Sequence, residues 1–428
     1  MHCLLIQPAD LHPMARYLAA CRRHGWKISL VTVPKTPFAI DRVAFADVFE
    51  VSRASDDAEE ILPALKGRRF DAVIPAGEFS VILADRIASA LGCPHNPLDR
   101  VHAYRDKVAM RASFMQAGVS QPRILAVFAS MEEADRFPWH EVRFPVVVKP
   151  VDLAGSLHVR LCDSVAAVKQ TLRRIFLHKS SFSGLRFAAR SIVEEVATGD
   201  EYSAECVVED GALLEAFVVR KFVSDPPACD ELAHVCGVRL VEPLGRQLRD
   251  DLARIIAAWG VRAGILHVEF KIADGRISFI EAGCRVAGGN ISNLVELSWG
   301  INLEEAFIRA RAGLSNRGEL ETCVSHPTLH AVKFLFPASR KIEPPAGVEV
   351  VASKGPEPGR EAGSGLGVDW RIGYRIVCTE NRAVLADYVG EFSTVNSSLD
   401  KDVNLLHLHH PKHLLQRPMR GSEAPLDG

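Results

Sequence analysis

Two glutamates, Glu269 and Glu281, form the most chemically pointed pair in the sequence, because HVEFKIADGRISFIEAGCR reads as two strands joined by a short turn. A two-residue Asp274-Gly275 turn pairs Glu269 with Ile280 and sends the carboxylates to opposite faces. A three-residue loop of Asp274, Gly275 and Arg276 instead sets Glu269 across from Glu281 and His267 across from Gly283. The other face then carries Val268, Phe270, Ile280 and Ala282. The second register segregates polar from apolar side chains and is the one expected. Carboxylates within about 5 Å repel and raise one pKa unless a cation lies between them. Oxygen-only ligation suits Mg²⁺, which keeps waters and shares substrate phosphates. Without a cation, the same pair is a solvated patch on an open sheet face. Arg285 is then a surface salt-bridge partner or a clamp for anionic substrate atoms.

Three further segments have the right residue types for an anionic ligand. In PVVVKPVDLAGSLHV a strand delivers Lys149, and a small flexible loop from Asp152 to Ser156 follows, so backbone N–H groups and an ammonium can meet phosphate oxygens. Arg105-Asp106-Lys107 precedes a helix. EEVATGDEYSAE ends one strand with Glu194 and Glu195 and begins another with Glu201. Each also reads as solvated surface charge. Cys229, His234 and Cys236 are the densest soft-ligand cluster, but no fourth zinc ligand accompanies them.

Positioning these groups takes two kinds of sheet. The strands CLLI, ISLVTV and FDAVIPAG alternate with helical segments near 11–24, 57–66 and 80–91, which predicts a parallel sheet over about residues 1–100. No GxGxxG follows the first strand, so a dinucleotide site is not expected, although a small ligand can lie near Gly77 and Glu78. Beyond Pro122, PVVVKP, SIVEEV, YSAECVVE, LLEAFVVRK, ILHVEFKI and ISFIEAG predict an α+β region rich in antiparallel hairpins. The segment 354–365 is loop-like, and the last residues form a frayed tail.

With 51 Lys+Arg against 53 Asp+Glu and a net charge of −2, nothing points to nucleic acid or an anionic membrane among 428 residues. The four-residue apolar run at the start is short for an export signal, and no stretch reaches the ~20 residues of a membrane span. Ten cysteines at irregular positions without a CxxC pair suit reduced thiols in a cytoplasmic protein.

Together the order and spacing of the segments resemble the ATP-grasp fold over about residues 75–380, with GEFSVILADRIASALGCPHNP and YRDKVAMRASFMQAGVSQP similar to the region entering it. The resemblance implies a Rossmann-like domain (1–100), a first ATP-grasp subdomain with a phosphate lid (101–190), a second with the metal site (191–325), an α+β subdomain (326–415) and a tail (416–428). It makes Lys107 and Lys149 the lysines that reach ATP phosphates and Gly155-Ser156 the lid, with His158 where relatives often have Gly. Glu194, Glu195 and Val196 fall at the adenine-side hinge, Glu201 at the ribose hydroxyls, and Glu269 and Glu281 at Mg²⁺ or Mn²⁺. Gly283 departs from the family's usual Asn, and His267, Asn290 or water would fill in. Lys333, in AVKFLF, is expected to be structural.

Glu281-Ala-Gly-Cys-Arg285-Val-Ala-Gly288-Gly289 is similar to the branch of L-amino-acid ligases and carnosine-synthase-like enzymes. That implies a carboxylate-amine ligase working through an acyl phosphate, with small-molecule acid and amine substrates and often a homodimer. Arg285 would bind the reacting carboxylate and steady the oxyanion, Lys149 would assist phosphoryl transfer, and His234 or His267 would serve as base, with ELAH as a substrate-side loop. The alternatives are a non-amino-acid carboxylate or carboxyphosphate as substrate, and a catalytically silent nucleotide-binding protein.

Overall fold

A computed structural model describes residues 1–7, 14–34, 40–180, 183–224, 231–324, 327–335, 344–355, 373–390 and 403–404. The first sheet is parallel: β1 (His2–Ile6), β2 (Lys27–Thr32), β3 (Val48–Glu50) and β4 (Ala72–Pro75) lie in the order β3-β2-β1-β4. The three-residue β3 is too short to carry a sequence pattern. The other expected strands and the helix Val81–Leu91, stopped by left-handed Gly92, form as anticipated.

The second sheet joins β5 (Ile124–Phe128), β6 (Val146–Pro150), β7 (Arg160–Cys162) and β8 (Ser191–Glu195) in the antiparallel order β5-β8-β6-β7. The third contains β9 (Asp200–Glu209), β10 (Ala212–Val223), β11 (Glu231–Leu240), β12 (Gly264–Ala273), β13 (Arg276–Gly283), β14 (His330–Leu335), β15 (Glu349–Lys354) and β16 (Gly373–Cys378). Their order is β13-β12-β9-β10-β11-β14-β16-β15, and β17 (Val403–Asn404) pairs with β11. The carboxy-terminal strands thus continue the central sheet. The segment 356–372, the cysteine at 229 and the tail lie outside the described residues.

The ELAH segment is the start of a ten-residue strand, not a loop. Gly237 hides that strand in the sequence. It is left-handed (φ 89°) at a register shift between β10 and β11, and a Cβ there would lie 2.5 Å from the Thr328 carbonyl oxygen.

Alternation along the central strands separates two environments. Tyr202, Ala204, Cys206 and Val208 of β9 and Leu266, Val268, Phe270 and Ile272 of β12 bury one face beneath the helices Lys107–Ala117 and Leu244–Trp259. On the opposite face, Val207, Ile265, Phe217 and Val219 pack under Ile291–Trp299 and Leu303–Arg311. Beyond that apolar patch the same face becomes polar and open. Asp106 caps the helix that begins with Lys107, its carboxylate accepting from the amides of Val108 and Ala109.

Candidate active site

The geometry of the carboxylate pair is set by a turn and a bulge. Asp274 and Gly275 are both left-handed (φ 49° and 69°), and Ala273 pairs with Arg276, which makes the connection a two-residue type I′ turn, not the expected three-residue loop. A β-bulge then shifts the register between Glu269 and Phe270. Phe270 faces Phe279, Ile280 is the extra residue, and Glu269 comes directly across from Glu281, with His267 across from Gly283. The two carboxylates share a face as expected, by a different route. Ile280, expected in the core, lines the cleft.

Each glutamate has one oxygen held by a cation. The Lys107 ammonium lies 2.9 Å from Oε1 of Glu281 and donates to the Leu153 carbonyl at 2.8 Å, joining the helix, the hairpin and the loop after β6. Oε1 of Glu269 receives the Lys221 ammonium at 2.5 Å and Nε2 of His267 at 3.2 Å. Oε2 of both glutamates accepts no hydrogen bond from a described residue.

Lys221, buried in β10, also meets Glu231 at 2.8 Å and Glu201 at 3.2 Å. Burial opposes its charge, but the three carboxylates hold its pKa well above the usual lysine value. Burial likewise opposes ionisation of Glu269, yet Lys221 and His267 keep its pKa far below the usual range. The ring of His267 faces a carboxylate at each nitrogen, Glu205 at 2.8 Å and Glu269 at 3.2 Å. Carboxylates only accept, so both nitrogens carry protons and the ring has no lone pair for a base or a metal. Burial opposes this charge, but Glu205 and Glu269 prevail and raise its pKa to about 9. The base role expected for His267 does not survive this geometry.

Lys149 projects from β6 and meets Glu194 of β8 at 2.7 Å. Arg111, one turn along the helix from Lys107, forks onto the same carboxylate at 2.5 and 3.2 Å. Glu194 is buried and fully engaged with these two cations, and Glu195 reaches outward to Arg123 at 2.7 Å. For Glu194, burial is outweighed by Lys149 and Arg111 and its pKa is lowered. Lys149 is also lowered: burial, aided by Arg111 and Lys107, outweighs Glu194, so its charge calls for a further anion. In the loop after β6, Gly155, Ser156 and His158 are all left-handed (φ 67°, 56° and 61°), a backbone shape that favours glycine.

Arg285 is met from the first domain by Glu78, whose Oε2 lies 2.5 Å from its Nε. A Cβ at Gly283 would sit 3.0 Å from that same oxygen, so Glu78 occupies room that a side chain at 283 would need. His234 is fully buried; its Nδ1–H donates to the Gly289 carbonyl at 3.1 Å, its ring stands edge-on to Phe334, and Nε2 lies 3.5 Å from Glu231.

One cleft of about 270 Å³ gathers Lys107, Lys149, Gly155, Ser156, Glu194, Glu195, Val196, Glu201, Glu269, Glu281 and Arg285 along its walls. His234 stands behind that wall, in contact with its members Glu231 and Gly289. Sequence reasoning did not single out Lys221, Arg111 or Glu205. Among the described residues no three His, Cys, Asp or Glu side chains form a self-sufficient metal cage. Two carboxylates with one free oxygen apiece fit a hard divalent ion that takes its remaining ligands from phosphate and water.

Residues 142–293 match the ATP-grasp domain family. Alanine–anticapsin ligase of Bacillus amyloliquefaciens is 24% identical over 267 residues, 58% of this chain and 56% of that protein, so the chain spans little more than half the length of this curated relative. The crystal structure of L-amino acid ligase from Bacillus licheniformis aligns with a TM-score of 0.72 at 18% identity, covering 91% of this chain and 96% of that one. The biotin carboxylase domain of Hydrogenobacter thermophilus 2-oxoglutarate carboxylase, solved with MgADP, ADP and bicarbonate, aligns with a TM-score of 0.64 at 17% identity, covering 94% and 91%. Among the described residues no helix is long and apolar enough to cross a membrane.

Proposed function

We propose that this chain, which carries an ATP-grasp domain and has the ATP-grasp fold, is an ATP-dependent ligase joining a carboxylate to an amine, with an amino acid as the acid and a second amino acid or small amine as the partner. The observation that carries the reading is the shared cleft, where Lys107, Lys149 and the Glu269–Glu281 pair line the same space as Arg285. Similarity to alanine–anticapsin ligase supports amino acids as substrates. We place this chemistry in the cytoplasm, and a homodimer remains part of the proposal.

ATP donates its γ-phosphoryl group to the substrate carboxylate, giving an acyl phosphate and ADP, and the amine then displaces phosphate. Lys107 and Lys149 offset the charge that spreads over the transferred group, beneath the Gly155-Ser156 loop. Glu195 and Val196 flank the adenine side, Glu194 fixes that strand through Arg111 and Lys149, and Glu201 accepts from ribose hydroxyls. Glu269 and Glu281 would hold a divalent cation, Mg²⁺ or Mn²⁺, which would supply positive charge against the phosphate oxygens. Arg285 binds the substrate carboxylate and steadies the oxyanion of the second step. His234, buried behind the wall, is assigned to hold Gly289 and Glu231 in place. Within this scheme residues 1–100 contribute Glu78, 101–190 the two lysines and lid, 191–325 the metal carboxylates, and 326–415 the outer strands.

The test is phosphate release from ATP across pairs of the twenty amino acids. Release that requires both an acid and an amine is expected. Turnover with bicarbonate alone points to carboxyphosphate chemistry, and nucleotide binding without turnover on any pair to a silent binding protein.

A further inference from the structure

Four side chains on two neighbouring strands form a square on the polar face, hydrogen-bonded along three of its sides. Ser203 and Glu205 of β9 stand across from Glu269 and His267 of β12, respectively. The period of two puts all four on one side of the sheet. The Ser203 hydroxyl donates to Oε1 of Glu205 at 2.9 Å, and Nδ1 of His267 donates to that same oxygen at 2.8 Å. Nε2 of His267 then donates to Oε1 of Glu269 at 3.2 Å, the oxygen also held by Lys221. Glu205 is wholly buried and His267 nearly so, so the ring has little room to turn.

We propose that His267 is a positioning residue for the metal carboxylate: anchored by Glu205, it joins Lys221 in holding Oε1 of Glu269, which leaves Oε2 facing the cation. This rests on the reading of Glu269 as a metal carboxylate. The square matters more here than in a site with a third protein oxygen, because Gly283 supplies none. Hydrogen bonds behind metal ligands commonly govern metal affinity by about 10–100-fold. A buried ion pair serving only stability would leave that affinity alone.

The experiment uses substitutions that each copy one half of the ring. His267→Asn places an amide where Nδ1 was and keeps the Glu205 bond but not the Glu269 bond; His267→Gln reaches the Nε2 position. Binding of Mn²⁺, followed by its electron paramagnetic resonance in the presence of ADP, is the readout, with metal-free ADP affinity as the control for folding. The expected result is Mn²⁺ binding about 10–100-fold weaker in His267→Asn and weakened clearly less in His267→Gln, which keeps the Oε1 contact but gives up the Glu205 anchor. Equal affinities in the two variants, whether both retained or both lost, overturn the proposal. Glu269→Gln separates the two levels. If it abolishes Mn²⁺ binding while both His267 variants bind normally, the metal reading stands and this inference fails. If Glu269→Gln binds Mn²⁺ like wild type, the metal reading itself is wrong.

Discussion

The Lys107 ammonium lies 2.9 Å from Glu281, so a lysine assigned to phosphate and a carboxylate assigned to metal neutralise one another across the helix–hairpin junction. A metal ion on the free Oε2 of Glu281 is repelled by the buried Lys107 ammonium, and a triphosphate on Lys107 is repelled by the Glu281 carboxylate, so each ligand offsets the repulsion felt by the other and their binding is expected to be cooperative. Lys107→Met should therefore bind free Mn²⁺ more tightly than wild type while binding ATP more weakly. Its turnover should fall about 10²–10³-fold, as when one preorganised charge is removed from a transition state. Calorimetric titration with Mn²⁺ alone, followed by ADP-release kinetics, checks both signs.

Glu281 is the safer of the two carboxylates to remove, because its side chain is 28% exposed whereas Glu269 sits inside the Lys221–His267 network. Glu281→Ala should keep cooperative unfolding and lose ADP formation by about 10²-fold or more. Turnover near wild type in a folded variant would refute the metal assignment.

The hairpin explains how far the sequence carries. Polar and apolar segregation correctly put Glu269 opposite Glu281, because burial of Val268, Phe270 and Ala282 enforces it. The turn length was misjudged, because a bulge compensates for a turn and neither leaves its own mark in the hydrophobic pattern. Lys221 and Arg111 escaped notice for another reason. Their partners, Glu231 and Glu194, come from other strands, and such pairings depend on sheet order that local sequence does not encode. Lys107 and Lys149 stand at or near the ends of a helix and a strand, and Glu269 and Glu281 inside two paired strands, and the local sequence makes the type of each of these elements plain.

Glu194 holds two buried cations in the fold. It is the common anion for Arg111 and Lys149, all three nearly fully buried. Glu194→Gln leaves two buried cations short of a counter-charge, an arrangement that typically costs about 3–5 kcal/mol. Urea denaturation should register that loss. Saturating ATP should recover more stability in the variant than in wild type, because the phosphates replace part of the missing charge.

His330 of β14 gives a pH dependence separate from the cleft. Burial lowers its pKa from 6.5 to about 4, against the bond of Nδ1 to the Thr328 carbonyl. The unfolded chain binds the proton that the folded site refuses, so stability is unaffected above pH 6.5 and falls as pH drops toward 4. The shift corresponds to about 3 kcal/mol. His330→Asn keeps a donor near Nδ1 without a titrating ring. Its urea midpoint should therefore decline less than that of wild type between pH 6.5 and 4, and parallel declines would disprove the assignment.

The resemblance to the ATP-grasp fold expects Asn where this chain has Gly283, and placing Asn there should harm this protein. A Cβ at this position meets Oε2 of Glu78 at 3.0 Å and Cγ of Arg285 at 3.7 Å. The Glu78 carboxylate would have to yield by a few tenths of an ångström, which strains its contact with Arg285. Arg285 is the group assigned to the substrate carboxylate, so Gly283→Asn should raise KM for the acid. KM for ATP should change little. Combining it with Glu78→Ala removes the clash, and the new amide oxygen then faces the metal carboxylates unopposed. The double variant should bind Mn²⁺ more tightly than Glu78→Ala alone. If Gly283→Asn by itself is as active as wild type, Glu78 does not depend on the missing side chain, and the exchange of one for the other is wrong.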